Sequence, residues 1–159
     1  MDETLPYFGY GSNLDAEDWK NWCKKEGIQH AEMSEIGNAY PPGYKMKFHY
    51  YSNGRGGGAA DVVLADANSE VPGALFTLNK EGWEAMNRKE GHPNYYEKKQ
   101  VTVRTSDGEV DAITYTVVVE KIRDNYQQPT PEYENLVRSG LQHRNLPTTA
   151  LDNALEEPV

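Results

Sequence analysis

Short stretches of this chain alternate apolar and polar residues with a period of two, and others carry apolar residues at helical spacing. The run Leu5-Pro6-Tyr7-Phe8-Gly9-Tyr10 predicts a first strand, broken by Gly11-Ser12-Asn13. Trp19, Trp22 and Cys23 then recur at i, i+3 and i+4, the spacing of one buried helical face. Asp15 or Asn13 is placed to cap that helix, which runs to about Lys25 and ends before Gly27. From Ala31 to Leu78 the pattern turns to strands. Tyr44–Tyr50 alternates, Ala59–Ala65 is apolar enough for a buried strand, and Val71–Leu78 is another. Pro72 sits near the start of that strand, where a missing N–H is tolerated. The glycine-rich loop Ser52–Gly58 reads as a flexible hairpin tip.

Asn79 can cap a second helix over Lys80–Lys89, with Trp83 and Met86 or Asn87 on neighbouring turns. Tyr95–Arg104 and Val110–Val119 read as a hairpin joined by the Asp107-Gly108 turn. Pro131 suits the first turn of a helix reaching about Arg144, with Leu136, Val137, Gly140 and Leu141 on its apolar face. Pro147 restarts a last helical turn or two, and Glu156-Glu157-Pro158-Val159 reads as a frayed end. Few crossover helices separate the strands, so a largely antiparallel α+β domain is favoured over a doubly wound sheet. No linker divides the chain, and residues 1–159 read as one domain.

Composition narrows the function classes. The net charge of −9 disfavours nucleic-acid and anionic-membrane surfaces, which need clustered cations. Eleven Tyr and three Trp supply large areas to bury. Cys23 is the only cysteine, so an intrachain disulfide and a cysteine-based zinc site are both ruled out. That usage suits a cytoplasmic protein, and no signal peptide or transmembrane run is expected. The four histidines lack metal-ligand spacing, and Gly54-Arg55-Gly56-Gly57-Gly58 lacks the Gly-Lys-Ser/Thr ending of a phosphate loop. Neither a metal nor another cofactor is expected.

Two features carry candidate chemistry. In Tyr7–Leu14 a strand ends, Gly11 permits a sharp turn with an expected positive φ, and a helix starts just after. Backbone N–H groups at such a junction can converge on an anion or oxyanion, although ordinary strand-to-helix loops use the same residues. Glu90 falls at the predicted C-terminal end of the second helix, where the dipole disfavours a carboxylate and raises its proton affinity. A solvated surface glutamate is the plain alternative. Arg55 could meet a substrate carboxylate or only water. His92 could line a pocket mouth, and Cys23 reads as buried structure.

Tyr10-Gly11-Ser12-Asn13-Leu14 after a short first strand resembles the signature of the γ-glutamylcyclotransferase family, its AIG2-like branch included. The resemblance continues in order through Gly57–Ala60, Val71–Phe76, Glu90-Gly91 followed by Tyr95-Tyr96, Gln128–Tyr133 and Asn145-Leu146-Pro147. It implies a six-stranded β-barrel-like core with flanking helices. It implies that Tyr10, Gly11, Ser12, Asn13 and Leu14 hold a γ-glutamyl substrate, largely through backbone amides. It places the catalytic carboxylate on Glu90 and pocket hydroxyls on Tyr96 and Tyr133. Strand alternation sends only one of Tyr95 and Tyr96 inward, and counting back from Val101-Thr102-Val103 favours Tyr96. The implied reaction cyclises the γ-glutamyl group to 5-oxoproline and releases an amino acid or amine. The implied partner is that small molecule, with the protein a monomer or homodimer. A non-catalytic binding domain of the same fold is the alternative.

Overall fold

The computed structural model describes residues 3–156. The expected fraying at the C-terminus therefore falls, for 157–159, outside the described residues.

The first strand, β1 (Tyr7–Gly9), is buried at all three positions and lies in the middle of a five-stranded sheet. After it come a 3-10 turn at Ser12–Leu14 and helix α1 (Ala16–Lys25). Strands β2 (Met33–Ala39), β3 (Tyr44–Ser52), β4 (Gly57–Leu64) and β5 (Gly73–Leu78) follow. Helix α2 (Lys80–Glu90) leads to the hairpin β6 (Tyr96–Thr105) and β7 (Gly108–Val117). Helices α3 (Pro131–His143) and α4 (Thr149–Glu156) end the fold.

The main sheet has the order β2-β5-β1-β7-β6, and β3 and β4 form a separate hairpin. All pairings are antiparallel except β1 with β7, where Tyr7 faces Ile113. The expected mixed, largely antiparallel α+β fold is present, with seven strands among the described residues where six were expected. The sheet curls until its two edges touch. Tyr40, just after β2, bridges Arg104 of β6 through amides donating both ways, at 3.1 and 2.8 Å.

A buried polar pair fastens the β3–β4 hairpin to the sheet. His49 Nε2 lies 2.7 Å from Asp61 Oδ2, and Asp61 Oδ1 accepts from the amides of Val62 and Val117. The segment between β7 and α3 crosses the same hairpin. The Gly58 amide donates to Gln128 O, and the Gln127 amide to Phe48 O. The Gly57-Gly58 pair is thus buried strand and not part of a flexible tip. A side chain on Gly58 would run into the Gln127 carbonyl, so this close crossing requires glycine there.

Helices α1 and α2 carry the expected caps, and α3 has one at Thr130. Asp15 accepts from the Asp18 amide, Asn79 from that of Gly82, and Thr130 from that of Tyr133. On α2, Trp83 and Met86 are fully buried, and each contributes about 1.5–3 kcal/mol of apolar burial. Trp83 meets the Tyr7 ring edge-on at 6.2 Å, which docks α2 beside the start of β1. On α3, Gly140 lies directly against Leu14 of the first loop.

That last contact yields a test of the packing. An alanine in a helix interior ordinarily gains about 1 kcal/mol over glycine. At Gly140 the added Cβ would stand 2.5 Å from Leu14 Cβ, so Gly140→Ala should instead destabilise by about 1–3 kcal/mol. Urea denaturation reads the sign, and a stabilised variant would contradict the packing described.

Candidate active site

The loop after β1 and the end of α2 meet over a cavity of about 640 Å³. Its buried wall is phenolic, formed by Tyr7, Tyr10, Tyr50, Tyr96, Tyr115 and Tyr133. Gly11, Ser12 and Asn13 line it beside Glu90, with Asp18, Arg55 and Lys89 across one side.

Glu90 is the last residue of α2, and Gly91 caps the helix in the left-handed region at φ 67°. Trp83, Met86 and Glu90 stand at i, i+3 and i+7, so the buried face of α2 carries the carboxylate inward. Burial raises its proton affinity above the ordinary carboxyl range. The cations of Lys89 and Arg55 oppose this, and the anion of Asp18 adds to it. Desolvation leads, where the sequence pointed to the helix dipole.

Asn13 joins the loop to the helix. Its Nδ2 donates to the Tyr7 hydroxyl at 2.9 Å and reaches Glu90 Oε1 at 3.4 Å. Its Oδ1 accepts from Lys89 Nζ at 2.7 Å. Arg55 is half-buried and paired within the protein, not left to water alone. It grips both oxygens of Asp18 at 3.2 and 2.9 Å and donates to Ser12 Oγ at 3.0 Å. Lys89 also reaches Asp18, at 3.1 Å. Burial raises the Asp18 carboxyl, but these two cations outweigh it and hold it below its usual range.

The tyrosines are oriented by their partners. A carbonyl can only accept, so Tyr10 and Tyr96 must spend their protons on Tyr115 O and Ala60 O, each at 2.6 Å. Both then offer only lone pairs to the cavity. Tyr133 is the reverse. Its oxygen accepts from the Ala60 amide at 3.0 Å, which leaves its proton free to donate. Burial pushes the Tyr133 phenol up to about 12, so it stays neutral at ordinary pH.

Residues 7–135 match the family described as gamma-glutamyl cyclotransferase, AIG2-like. The chain belongs to this family. Among solved structures, a gamma-glutamyl cyclotransferase is similar over 98% of this chain and 89% of its own, with 22% identity and a TM-score of 0.77. An uncharacterised Homo sapiens protein is similar over 98% and 89%, with 24% identity and a TM-score of 0.75. YkqA from Bacillus subtilis is similar over 97% of this chain but 55% of its own, with 19% identity and a TM-score of 0.74. At these identities the likeness speaks for the fold. No curated protein matches the chain. Membership in the gamma-glutamyl cyclotransferase family supports a cyclotransferase-type role and a small-molecule ligand. No helix among the described residues is long and apolar enough to cross a membrane.

Of the residues that the gamma-glutamyl cyclotransferase resemblance selected, Tyr10, Gly11, Ser12, Asn13, Glu90, Tyr96 and Tyr133 all line the cavity. Leu14 does not. Its side chain is buried under α3 against Gly140, where it anchors the loop. Gly11 has φ −111°, not the expected positive value. Space is what a side chain there would lack, since a Cβ would stand 3.1 Å from the Tyr133 hydroxyl. Of the neighbouring pair, Tyr96 is buried and Tyr95 is exposed, although both reach the lining. His92 packs on the Tyr115 ring and is absent from the lining.

Sequence reasoning missed Asp18, Lys89 and the wall residues Tyr7, Tyr50 and Tyr115. Asp18 passes for an ordinary acidic first-turn residue, and Lys89 for a helix-end cation. The seven-residue spacing from Trp83 to Glu90 was the available signal that this helix end is turned inward. Among the described residues, no group of three or more His, Cys, Asp or Glu side chains could hold a metal ion.

The raised proton affinity of Glu90 makes its ionised form a cost to the fold. Below the ordinary carboxyl value of 4.5 both folded and unfolded forms are protonated, and the cost is absent. It grows as pH rises through the folded value and is complete above it. Glu90→Gln, which cannot ionise, should therefore melt higher than wild type at pH 7–8, with the difference closing near pH 4. Thermal melts across that range check this, and a pH-independent difference would contradict it.

Proposed function

We propose that the protein cyclises the γ-glutamyl group of a γ-glutamyl amino acid or amine to 5-oxoproline, with Glu90 as the general base and acid. The observation that carries this reading is the polarity of the cavity. Glu90 and the lone pairs of Tyr10 and Tyr96 suit an ammonium. The Tyr133 hydroxyl and the cation of Arg55 suit the anionic end of the same zwitterion.

The reaction is intramolecular. The α-ammonium of the substrate, with a proton affinity near or above pKa ~8, gives a proton to Glu90. The freed amine attacks the γ-carbonyl, and a C–N bond forms as the lactam closes. Negative charge develops on the carbonyl oxygen. Ser12 and Asn13 line the cavity, and their amides, which a 3-10 turn leaves without an internal partner, would receive that charge. One such donor is commonly worth a factor of ~10²–10³ in rate. The bond to the departing nitrogen then breaks as protonated Glu90 gives it that proton; the ring nitrogen sheds its second proton to the freed Glu90 carboxylate, which passes it to the released amine. Atoms and charge balance without a co-reactant. The walls can also hold the flexible glutamyl chain folded, so that amine and carbonyl meet.

A carboxyl raised by burial suits both transfers, because it accepts readily and then gives the proton back. Glu90→Gln keeps the shape and loses this capacity. On a panel of γ-glutamyl amino acids and amines, scored as 5-oxoproline by mass spectrometry, Glu90→Gln should lose ~10²–10⁴ in turnover. Glu97→Gln, an exposed carboxylate on β6, should keep wild-type turnover. Full turnover by Glu90→Gln would move the base elsewhere, and no 5-oxoproline from wild type on any panel member would remove the reaction.

A further inference from the structure

The cavity holds a buried cation to which the reaction above gives no chemical step. Lys89 precedes Glu90 on α2, and its side chain is only 5% exposed. Its ammonium donates to Asn13 Oδ1 at 2.7 Å, to Asp18 Oδ2 at 3.1 Å and to Ser12 Oγ at 3.5 Å. Asp18 is itself fixed by the two-pronged grip of Arg55.

This arrangement settles which way the Asn13 amide points. An ammonium has only donors, so the amide oxygen must face Lys89. The NH2 end is then turned to the Tyr7 hydroxyl, to Met86 Sδ at 3.2 Å and to Glu90 Oε1. A flipped amide would set its NH2 against the ammonium and its oxygen against the carboxylate, both repulsive. We propose that Lys89 is a positioning residue: its ammonium, anchored on Asp18, locks the Asn13 side-chain amide so that an N–H is aimed at the Glu90 carboxylate. This inference rests on the reading of Glu90 as the reacting carboxylate, and it assigns Lys89 to tuning that group and not to touching substrate.

The groups facing Glu90 are few enough to name. Lys89 comes from α2, Arg55 from the β3–β4 turn and Asp18 from α1. The phenols are Tyr7 at the start of β1, Tyr10 just after it, Tyr50 of β3, Tyr96 of β6, Tyr115 of β7 and Tyr133 of α3. Burial pushes every one of these phenols upward, so none titrates with the carboxylate. Removing the Lys89 charge takes away a cation and also frees the amide to turn. Both effects favour the protonated carboxyl.

The test is a carboxyl titration by NMR on the full chain labelled with ¹³C at the glutamate carboxyl, with the Glu90 signal assigned by its loss in Glu90→Gln. In Lys89→Met the Glu90 midpoint should rise by about one pH unit, the lower end of what an adjacent opposite charge produces. Lys89→Arg, which restores the cation, should return it towards wild type. An unmoved midpoint in folded Lys89→Met overturns the inference. Should Lys89→Met not fold, Asn13→Leu removes the aimed N–H itself, and an unmoved midpoint there overturns it equally. The titration needs no substrate. A wild-type protein that makes no 5-oxoproline would therefore defeat the functional reading and leave this inference decided on its own result.

Discussion

A carboxylate walled by tyrosine rings is only partly open to water, and its ionised form needs other partners in place of the water it lacks. Around Glu90 the replacement is sparse. It consists of one long contact from Asn13 and the fields of Lys89 and Arg55, with Asp18 working against them. The carboxyl is left with a raised proton affinity. The same shortage of partners is a loss for stability and a gain for proton transfer. The helix supplies the location: the stripe that buries Trp83 and Met86 carries the next inward position onto residue 90.

The rest of the cavity follows from where main-chain groups end. Ala60 of β4 presents its carbonyl to Tyr96 and its amide to Tyr133, so one residue makes the first phenol an acceptor and the second a donor. Tyr10 is set in the same way by Tyr115 O. A buried hairpin thus writes the polarity of the wall, and the His49–Asp61 pair that ties this hairpin to β7 acts on the site at one remove. Leu14 contributes similarly from the other side. Pinned under Gly140, it fixes where the loop turns, and Gly11, Ser12 and Asn13 face the cavity as a result.

Much of this was legible in the chain itself. Caps, turn residues and helical stripes marked α1, α2, α3 and the β6–β7 hairpin within a residue or two. The ordered resemblance singled out the loop and Glu90. What escaped was long-range. Arg55 lies 37 positions from Asp18, and their ion pair depends on how the β3–β4 turn folds over α1. Gly58 looked like loop because its glycine serves a crossing with Gln127-Gln128, which no local pattern records. Gly11 looked like a positive-φ turn, but its requirement is room beside a tyrosine contributed by the far end of the sequence.

The central claim is that the substrate amine meets Glu90 while its γ-carbonyl meets the first loop. The most direct measurement is a crystal structure of Glu90→Gln holding an intact γ-glutamyl amino acid. The account predicts the α-nitrogen within about 3 Å of the residue 90 side chain, with the γ-carbonyl oxygen turned to the Ser12 and Asn13 amides. A ligand bound in this cavity with its amine directed away from residue 90, or bound outside the cavity altogether, would contradict it.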